Sequence, residues 1–268
     1  MRVSILGGGT MGEALAKGFS SLEGVEVYVA EVVEERRRFL EKEGIRTYAS
    51  SREAVKGSDV AVIAVKPKDV KPLLDDVKDL IKGKLVISIA AGAKLSYLEK
   101  EAPEARFIRA MPNIAATVGA SVTTLTPSTK ASEEDLRLAE KLFGSVGSTL
   151  VVDEALVDAV TGLSGSGPAY IFLVIEALAE GGLKMGIPYE KALQLASWVV
   201  YGAAKMVIET KQDPAALRRK VATPAGTTVE GLLRLEEAGV RAAFVRAVEA
   251  ASKRAAEISK EISGQSLV

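Results

Sequence analysis

The hydrophobic pattern of the sequence changes once, at Glu154, and this change constrains the fold more than any other feature. Before Glu154, short β-branched apolar runs alternate with helical patterns, whereas after it every apolar pattern has a helical period. Alternating strands and helices form a parallel sheet with helices on both faces. The predicted strands are Arg2–Leu6, Val25–Ala30, Asp59–Val65, Leu85–Ile89, Arg106–Ala110, Ser121–Leu125 and Ser148–Val152. We predict an α/β fold, with a mostly parallel sheet domain over residues 1–153 and an all-helical domain over residues 154–268.

A glycine-rich turn, Gly7–Gly12, follows the first predicted strand and leads into a helical pattern. In this context the motif is typical of Rossmann-type dinucleotide binding. Gly7 permits a tight turn, Gly9 lets the backbone approach a pyrophosphate, and Gly12 lets strand and helix pack closely. The N-terminus of the following helix then faces the phosphates. The predicted cofactor-binding residues of this segment are Leu6, Gly7, Gly9, Thr10, Met11 and Gly12.

An acidic residue, Glu31, ends the second predicted strand about 20 residues after the glycines, where such folds bind a ribose 2′-hydroxyl. A carboxylate there repels the 2′-phosphate of NADPH and favours NADH, but Arg36–Arg38 follow closely and can reverse that preference. The alternatives are a solvated acid at a helix start and a solvated face of arginines. The sequence therefore leaves both NADH and NADPH open as the cofactor.

Three later strands end in short peptides at the edge of the sheet where doubly wound folds bind ligands. These peptides are Ala64–Pro67, Ser88–Gly92 and Arg109–Asn113. Lys66 either approaches the phosphate or ribose groups of the cofactor or is a surface lysine before a helix-starting proline. The cofactor contacts predicted in these peptides are Val65, Lys66, Pro67 and Ala91.

In the second half, the stretch Val221–Leu232 contains a proline and a glycine followed by two threonines. This pattern predicts a tight turn before a helix, whose free N–H groups bind anions. If Gly226, Thr227 and Thr228 present their N–H groups to a carboxylate, the Thr228 hydroxyl faces the group attached to that carboxylate. The alternative is an ordinary threonine N-cap.

The chain contains neither cysteine nor histidine. Disulfides, thiolate catalysis, cysteine-based metal sites and histidine acid–base catalysis are therefore excluded, and we predict no metal site. Lys and Arg total 35, equal to Asp and Glu, so nothing indicates a nucleic-acid partner. No signal-like leader and no apolar run of about 20 residues is present, so we expect a cytoplasmic protein without a membrane segment.

The longest predicted helix, Pro188–Thr210, is apolar on most of its circumference between Leu193 and Ile208. Such a helix is buried on all sides, and we expect a partner subunit to cover it in a dimer of intertwined helices. The alternative is the central helix of a six-helix bundle. The small residues of Leu163–Tyr170 indicate close backbone packing between the two halves, or else a hinge.

Together these segments resemble the pyrroline-5-carboxylate reductase family from residue 2 to about residue 255. The resemblance rests on five segments in order, which are Gly7–Gly12, Ala64–Pro67, Met111–Asn113, Leu163–Tyr170 and Thr223–Thr228. The chain departs from the family pattern at four places. Ile114-Ala115 stand where Thr-Pro is usual, Ala225 where Gly is usual, Ser51 where an Asn often lies near the adenine ribose, and Lys211 where some members have a substrate-contacting Glu.

The resemblance implies NADH- or NADPH-dependent reduction of the cyclic imine 1-pyrroline-5-carboxylate to L-proline. It implies a Rossmann domain followed by a helical dimerisation domain, with homodimers that can assemble into larger rings. Carried onto this sequence, Ser51 is a cofactor contact, and Thr228 is the catalytic residue that hydrogen-bonds the ring nitrogen. The implied substrate-binding residues are Thr223, Gly226, Thr227 and Thr228.

Three alternatives stay open from the residues. A reductase of another cyclic imine carboxylate would use the same carboxylate clamp, and a non-catalytic nicotinamide-binding protein would keep the cofactor site. A β-hydroxyacid dehydrogenase also joins a Rossmann domain to helices. It needs an acid–base group, typically a lysine on an interdomain helix, and the chain has no lysine between Pro168 and Gly182.

Overall fold

The computed structural model describes residues 1–262, and residues 263–268 of the predicted helical domain lie outside this range. Eight strands form one sheet in the order β3-β2-β1-β4-β5-β6-β7-β8. The strands are β1 (Arg2–Leu6), β2 (Glu26–Ala30), β3 (Arg46–Tyr48), β4 (Val60–Ile63), β5 (Leu85–Ser88), β6 (Arg106–Met111), β7 (Ser121–Pro127) and β8 (Gly147–Val151). The predicted fold class, with its mostly parallel sheet, is confirmed.

Helices cover both faces of the sheet because its central strands are apolar on both sides. In β4, Val60 and Val62 enter one hydrophobic cluster, whereas Ala61 and Ile63 enter another. The helices of this region are α1 (Thr10–Ser20), α2 (Glu34–Lys42), α3 (Ser51–Val55), α4 (Val70–Val77), α5 (Leu95–Glu101), α6 (Glu133–Gly144) and α7 (Val157–Val160). The alternation of side chains along a buried strand therefore fixes the two helical layers.

Two strand features differ from the sequence prediction. The edge strand β3 was not predicted, because three residues that include a charged Arg46 give too short a pattern. The β7 strand runs antiparallel to β6, with Ile108 opposite Pro127. Parallel neighbours need a crossover of about a dozen residues or more. The connection here, residues 112–120, contains just the short 3-10 helix Ile114–Val118 and is too short for one.

From residue 167 to residue 262, the regular elements are all helices. Its helices are α8 (Gly167–Lys184), α9 (Tyr189–Thr210), α10 (Pro214–Val221), α11 (Thr227–Glu237) and α12 (Val240–Ile262). The chain divides into two compact units: the sheet unit contains Met1–Ser166 and the residues from Glu249 onward, and the helical unit is Gly167–Val248. The bounds of these compact units are not those of the predicted domains, 1–153 and 154–268, which stay a prediction. Ser259 of α12 donates a hydrogen bond to Asp158 (2.9 Å), and the end of this helix thereby belongs to the sheet unit.

The helical unit leaves large apolar side chains exposed. Trp198 of α9 is 65% exposed and Leu195 is 57% exposed, although α9 is apolar on most of its surface. The buried cluster of this unit consists of three alanines, Ala179, Ala192 and Ala196, with Ile175 packed against them. The helices of one chain therefore do not cover α9 in the way that a six-helix bundle would.

The stretch Glu154–Lys184 is one apolar helical run of 31 residues with a mean hydropathy of 1.3 in its most apolar window. By length and composition alone it is able to cross a membrane. The same test is passed by the core helices of soluble proteins, so it does not identify a membrane segment.

Candidate functional site

The glycine turn after β1 has the geometry of a dinucleotide cradle. Gly7 has a φ of +117°, and a Cβ there would lie 2.6 Å from the Ala64 carbonyl oxygen. A Cβ on Gly12 would lie 2.0 Å from the Gly7 carbonyl oxygen, so strand and helix approach too closely for any side chain. Both positions require glycine for the reasons that the sequence predicted.

Beside Gly9 the cradle is open. Gly9 is the N-cap of α1, and no side chain caps the helix. A Cβ added at Gly9 would have no neighbouring atom within 4 Å. The first residues of α1, Thr10 and Met11, therefore direct their backbone N–H groups outward. This open, uncapped helix N-terminus therefore fits the pyrophosphate of a dinucleotide.

The predicted contacts of neighbouring strands lie along the same carboxyl edge of the sheet. The Ala64 N–H donates to the Leu6 carbonyl at 2.8 Å, and the Ile89 N–H donates to the Ile63 carbonyl at 3.0 Å. The ends of β1, β4 and β5 are thus adjacent, and β1 lies at the point where the strand order reverses direction. Ligands of doubly wound sheets bind at this point.

The remaining residues of this edge differ in exposure. Val65 and Ala91 are half-buried, and Lys66 is exposed as the N-cap of the short 3-10 helix that begins at Pro67. Ser51 is half-buried and is the first residue of α3, just after the edge strand β3. These placements bring the predicted cofactor contacts to one edge of the sheet unit, and their individual roles stay predictions.

Glu31 follows β2 and turns its carboxylate back onto the cradle. Its Oε2 accepts a hydrogen bond from the Gly8 N–H at 3.0 Å, and its Oε1 accepts one from the Val33 N–H at 2.9 Å. A Cβ on Gly8 would lie 2.7 Å from the Leu40 Cδ1 and 3.0 Å from the Glu31 Cβ. The carboxylate is therefore fixed beside the glycine turn rather than solvated.

The three arginines of α2 have partners of their own. Arg36 donates to the Gly8 carbonyl (2.7 Å) and to the Glu13 carboxylate (2.6 Å). Arg37 donates to the carbonyls of Glu31 (2.8 Å) and Val32 (2.9 Å), and Arg38 pairs with Glu34. Arg36 and Arg37 thus support the backbone around the cradle. Of the three arginines, only Arg38 is exposed in the way that a solvated helix face requires.

In the helical unit, the turn before α11 ends in an uncapped helix. Gly226 is the N-cap of α11, which begins at Thr227, and no side chain caps it. The threonine N-cap alternative does not describe this turn. The Gly226 N–H donates to the Thr223 carbonyl at 3.0 Å. Two backbone N–H groups, those of Thr227 and Thr228, are therefore available here instead of the three that the sequence suggested.

The same turn contains a strained residue. Ala225 has a φ of +53°, and within residues 1–262 the one other non-glycine residue with positive φ is Lys211, at the C-cap of α9. Left-handed backbone costs a residue with a Cβ about 1–2 kcal/mol. Ala225 and Lys211 are two of the four residues or pairs at which the sequence departs from the family pattern. A glycine at residue 225 would remove the strain there.

A contact between two of the shared segments was not predicted. The Asn113 side-chain amide donates to the Ser164 carbonyl at 3.1 Å, and its Oδ1 accepts from the Ala115 N–H at 3.1 Å. Ser164 lies in a π-helical turn, Thr161–Gly165, and such turns are frequent at functional sites. The run of small residues in Leu163–Tyr170 indicated close packing, but it did not indicate which segment packs there.

Within residues 1–262, no group of three or more Asp and Glu residues is arranged to hold a metal ion. In the sheet unit, the open N-terminus of α1 is able to hold a phosphate group, and in the helical unit the N-terminus of α11 is able to hold an anion.

Two family models match separate parts of the chain. A family model described as pyrroline-5-carboxylate reductase dimerisation matches residues 154–258. A second model, described as NADP oxidoreductase coenzyme F420-dependent, matches residues 2–92. The first match includes the turn before α11, and the second includes the glycine cradle and Glu31.

Whole-chain relatives extend these matches. Pyrroline-5-carboxylate reductase of Arabidopsis thaliana is 44% identical over 265 residues, which cover 97% of this chain and 96% of that protein. The structure of a pyrroline-5-carboxylate reductase from Coxiella burnetii has a TM-score of 0.89 at 34% identity and covers 96% of this chain and 98% of its own. The Plasmodium falciparum pyrroline carboxylate reductase structure, with NADP bound, has a TM-score of 0.88 at 27% identity and covers 97% and 98%.

Proposed function

The chain belongs to the pyrroline-5-carboxylate reductase family, and from this premise we propose that it reduces 1-pyrroline-5-carboxylate to L-proline with NADH or NADPH. The observation that carries the proposal is the uncapped N-terminus of α11. Thr227 and Thr228 offer backbone N–H groups to a carboxylate there, in a chain that also contains a dinucleotide cradle. A cyclic imine carboxylate has the matching anion.

The reaction needs little acid–base chemistry from the protein. A bound reduced nicotinamide supplies a hydride, and a protonated imine carbon is already electrophilic. The residues of the chain therefore act mainly by orientation. The N–H groups of Thr227 and Thr228 hold the substrate carboxylate, while the Thr228 hydroxyl hydrogen-bonds the ring nitrogen. This assignment explains how a chain without histidine or cysteine carries out the reduction.

The test of this assignment is Thr228→Ala, with Thr227→Ala as its matched control. Both variants keep the backbone N–H groups, but Thr228→Ala removes the hydroxyl that contacts the reacting ring. We expect kcat to fall by about 10²–10³, equivalent to about 2.7–4 kcal/mol, with the dissociation constant of the cofactor unchanged. Thr227→Ala should retain most of the activity. Equal activity of both variants in folded protein would remove Thr228 from its catalytic role.

The geometry around Glu31 favours NADH over NADPH. Its carboxylate lies at the position that faces the adenine ribose in Rossmann folds, where a 2′-phosphate would meet a like charge. Arg36 and Arg37 are engaged by backbone carbonyls and Glu13, so they are not free to reverse this preference. We propose that the protein binds NADH more tightly than NADPH by about tenfold or more.

Calorimetric titration without substrate measures this preference directly. Glu31→Gln removes the charge and keeps one acceptor oxygen, for one of the two N–H groups of Gly8 and Val33. It should bring the two dissociation constants closer together. Glu34→Gln is the matched control, because Glu34 is an exposed acid that pairs with Arg38. A wild-type protein that prefers NADPH would overturn the proposal.

The partner of the chain is a second copy of itself. The match to a reductase dimerisation model supports oligomerisation, and the exposed apolar surface of α9 supports a dimer built from the C-terminal helices. We propose that this homodimer is the basic assembly and that it can form larger rings.

A further inference from the structure

A buried arginine, Arg109, lies on β6 in the interior of the sheet unit. Its side chain is 2% exposed, although a buried cation is costly unless it is paired. Two carboxylates supply the pairing: Nη1 lies 3.4 Å from the Glu154 Oε1, and Nη2 lies 4.0 Å from the Asp158 Oδ1. Burial lowers the pKa of the guanidinium, and the two carboxylates oppose that shift.

Each carboxylate also holds a second segment of the sheet unit. Glu154 Oε1 accepts a hydrogen bond from the Leu95 N–H at 2.6 Å, and Leu95 is the first residue of α5. Asp158 Oδ1 accepts one from the hydroxyl of the fully buried Ser259, near the end of α12, at 2.9 Å. Arg109 therefore connects two supports that are distant from each other in the sequence.

Both supports meet at the loop between β5 and α5, residues 89–94. Gly92 in this loop has a φ of +77° and packs against the end of α12, where a Cβ would lie 2.6 Å from the Ile262 Cδ1 and 3.1 Å from the Ile258 Cγ2. The loop then ends at Leu95, which Glu154 holds. One side of the loop is thus fixed through Asp158 and Ser259, and the other through Glu154.

This loop leaves the carboxyl end of β5, on the side of the cradle away from Glu31. When the adenine ribose faces Glu31 and the pyrophosphate faces α1, the nicotinamide half of a dinucleotide extends toward β4 and β5. Ala91, a predicted cofactor contact, lies in the middle of the loop.

We propose that Arg109 is a positioning residue, which pairs with Glu154 and Asp158 and thereby holds loop 89–94 in the conformation that receives the nicotinamide half of the cofactor. This inference rests on the proposed function, because it gives the loop a role in binding the cofactor of that reaction. Arg109 itself does not contact the cofactor in this account, because its side chain is buried among its own partners.

The same strand offers a matched control. Arg106 also lies on β6 and forms a bidentate pair with the buried Asp135, at 2.7 and 2.9 Å. It is aligned with Leu85 at the amino end of β5, whereas Arg109 is aligned with Ser88 at the carboxyl end. Arg106→Met therefore removes an ion pair at the opposite edge of the sheet from loop 89–94, and in this pair the carboxylate is the buried partner: the Asp135 side chain is 8% exposed and the Arg106 side chain 37%.

The experiment compares Arg109→Met, Arg106→Met and Glu154→Ala by three measurements without substrate. These are the melting temperature, the dissociation constant of NADH, and hydrogen exchange of peptides that cover residues 89–95. We expect both arginine variants to lower the melting temperature. Arg109→Met should accelerate exchange in residues 89–95 and weaken NADH binding by about tenfold or more, whereas Arg106→Met should leave both within twofold.

Glu154→Ala is the second variant, for the case that Arg109→Met does not fold. Glu154 is 30% exposed, and after its loss Asp158 still lies beside the buried Arg109. Glu154→Ala should reproduce the faster exchange and the weaker binding, and its effect should not add to that of Arg109→Met in the double variant. Unchanged exchange and NADH binding in Arg109→Met or Glu154→Ala would overturn the inference. So would an Arg106→Met variant that weakens NADH binding as strongly.

The outcome is distinguishable from a failure of the proposed function. A wild-type protein that binds NADH but does not reduce 1-pyrroline-5-carboxylate would contradict the proposed substrate, while the comparison of the variants would still decide the role of Arg109. A wild-type protein that binds neither NADH nor NADPH would overturn both proposals.

Discussion

The two units of the chain differ in where their large apolar side chains lie. In the sheet unit, Phe19, Phe107 and Phe143 are fully buried, and two hydrophobic clusters fill both faces of the sheet. In the helical unit, the buried cluster is built on alanines, while Trp198 and Leu195 are exposed. The sheet unit completes its core within one chain, whereas the helical unit leaves a large apolar surface exposed, which is the surface that the proposed homodimer buries.

This difference also appears in the backbone. Within residues 1–262, the two non-glycine residues with positive φ, Lys211 and Ala225, both belong to the helical unit. The sheet unit uses glycine wherever its chain enters the left-handed region, as at Gly7 and Gly92. The strained residues follow the end of α9 and precede the start of α11, where the proposed substrate contacts lie.

A charge placed on α9 tests the difference between the two units with the largest expected effect. We expect Trp198→Glu to abolish the dimer, because a buried carboxylate without a partner costs several kcal/mol. NADH binding should persist, since the cradle lies in the sheet unit. Light scattering after gel filtration measures the dimer, and Val118→Glu is the control at a 77% exposed valine of the sheet unit. A variant that stays dimeric would show that α9 is not the interface.

The core of the sheet unit should respond to a cavity. Phe143 packs edge-to-face against Phe19 with a centroid distance of 5.4 Å, and both rings are fully buried. We expect Phe143→Ala to lower the free energy of unfolding by about 3–5 kcal/mol in denaturant titrations. Phe39→Ala, at an exposed phenylalanine of α2 that contacts Arg36, should cost about 1 kcal/mol or less. If both variants lost a similar free energy of unfolding, the buried Phe143 would not be part of a core on which the stability of the sheet unit depends.

The buried ion pair of the sheet unit predicts a pH dependence. The hydrogen bonds from Arg106 lower the pKa of Asp135 below its ordinary value, and Ser132 N–H adds to this effect. A lowered carboxyl pKa stabilises the fold above the ordinary value of about 3.9, and this contribution is lost as the pH falls through the lower folded pKa. The Asp135→Asn variant should therefore be less stable than wild type at neutral pH, with the difference shrinking below about pH 4.

Unfolding titrations at several pH values measure this difference. The control is Glu23→Gln, which removes an exposed acid that no arginine of the described residues 1–262 hydrogen-bonds. A difference for Asp135→Asn that grows as the pH falls would contradict the sign of the pKa shift.

The smallest expected effect concerns the strained turn. Ala225→Gly relieves a φ of +53° and should raise the free energy of unfolding of the dimer by about 0.5–1 kcal/mol. Ala222→Gly, at a φ of −83°, has no such strain to relieve and should destabilise slightly. If both substitutions destabilise the protein, the turn at Ala225 is not strained in solution.

The sequence predicted the sheet unit well because its signals are local. The strand before Gly7, the glycine spacing and the acid at Glu31 each depend on residues a few positions apart, and a parallel sheet follows from the alternation of strands and helices. The direction of β7 was missed because it depends on the length of a connection. The sequence left a threonine N-cap open at the start of α11, because the glycine N-cap that the structure contains gives no side-chain signal.

Long-range pairings had no comparable signal. Arg109 is a charged residue within an apolar strand pattern, which indicates a buried pair, but its partner Glu154 is 45 residues away. Asp158 and Ser259 are 101 residues apart, and their contact brings the end of α12 into the sheet unit. The predicted domain boundary at residue 153 could not include such a return of the chain.

The reductase assignment is tested most directly by one assay of the purified dimer. Reduced nicotinamide absorbance is followed with 1-pyrroline-5-carboxylate, in parallel with NADH and NADPH, and L-proline is quantified at the end. We predict that one L-proline forms for each reduced cofactor consumed, with NADH effective at lower concentrations than NADPH. A folded dimer that binds NADH yet consumes none in the presence of 1-pyrroline-5-carboxylate would contradict the account.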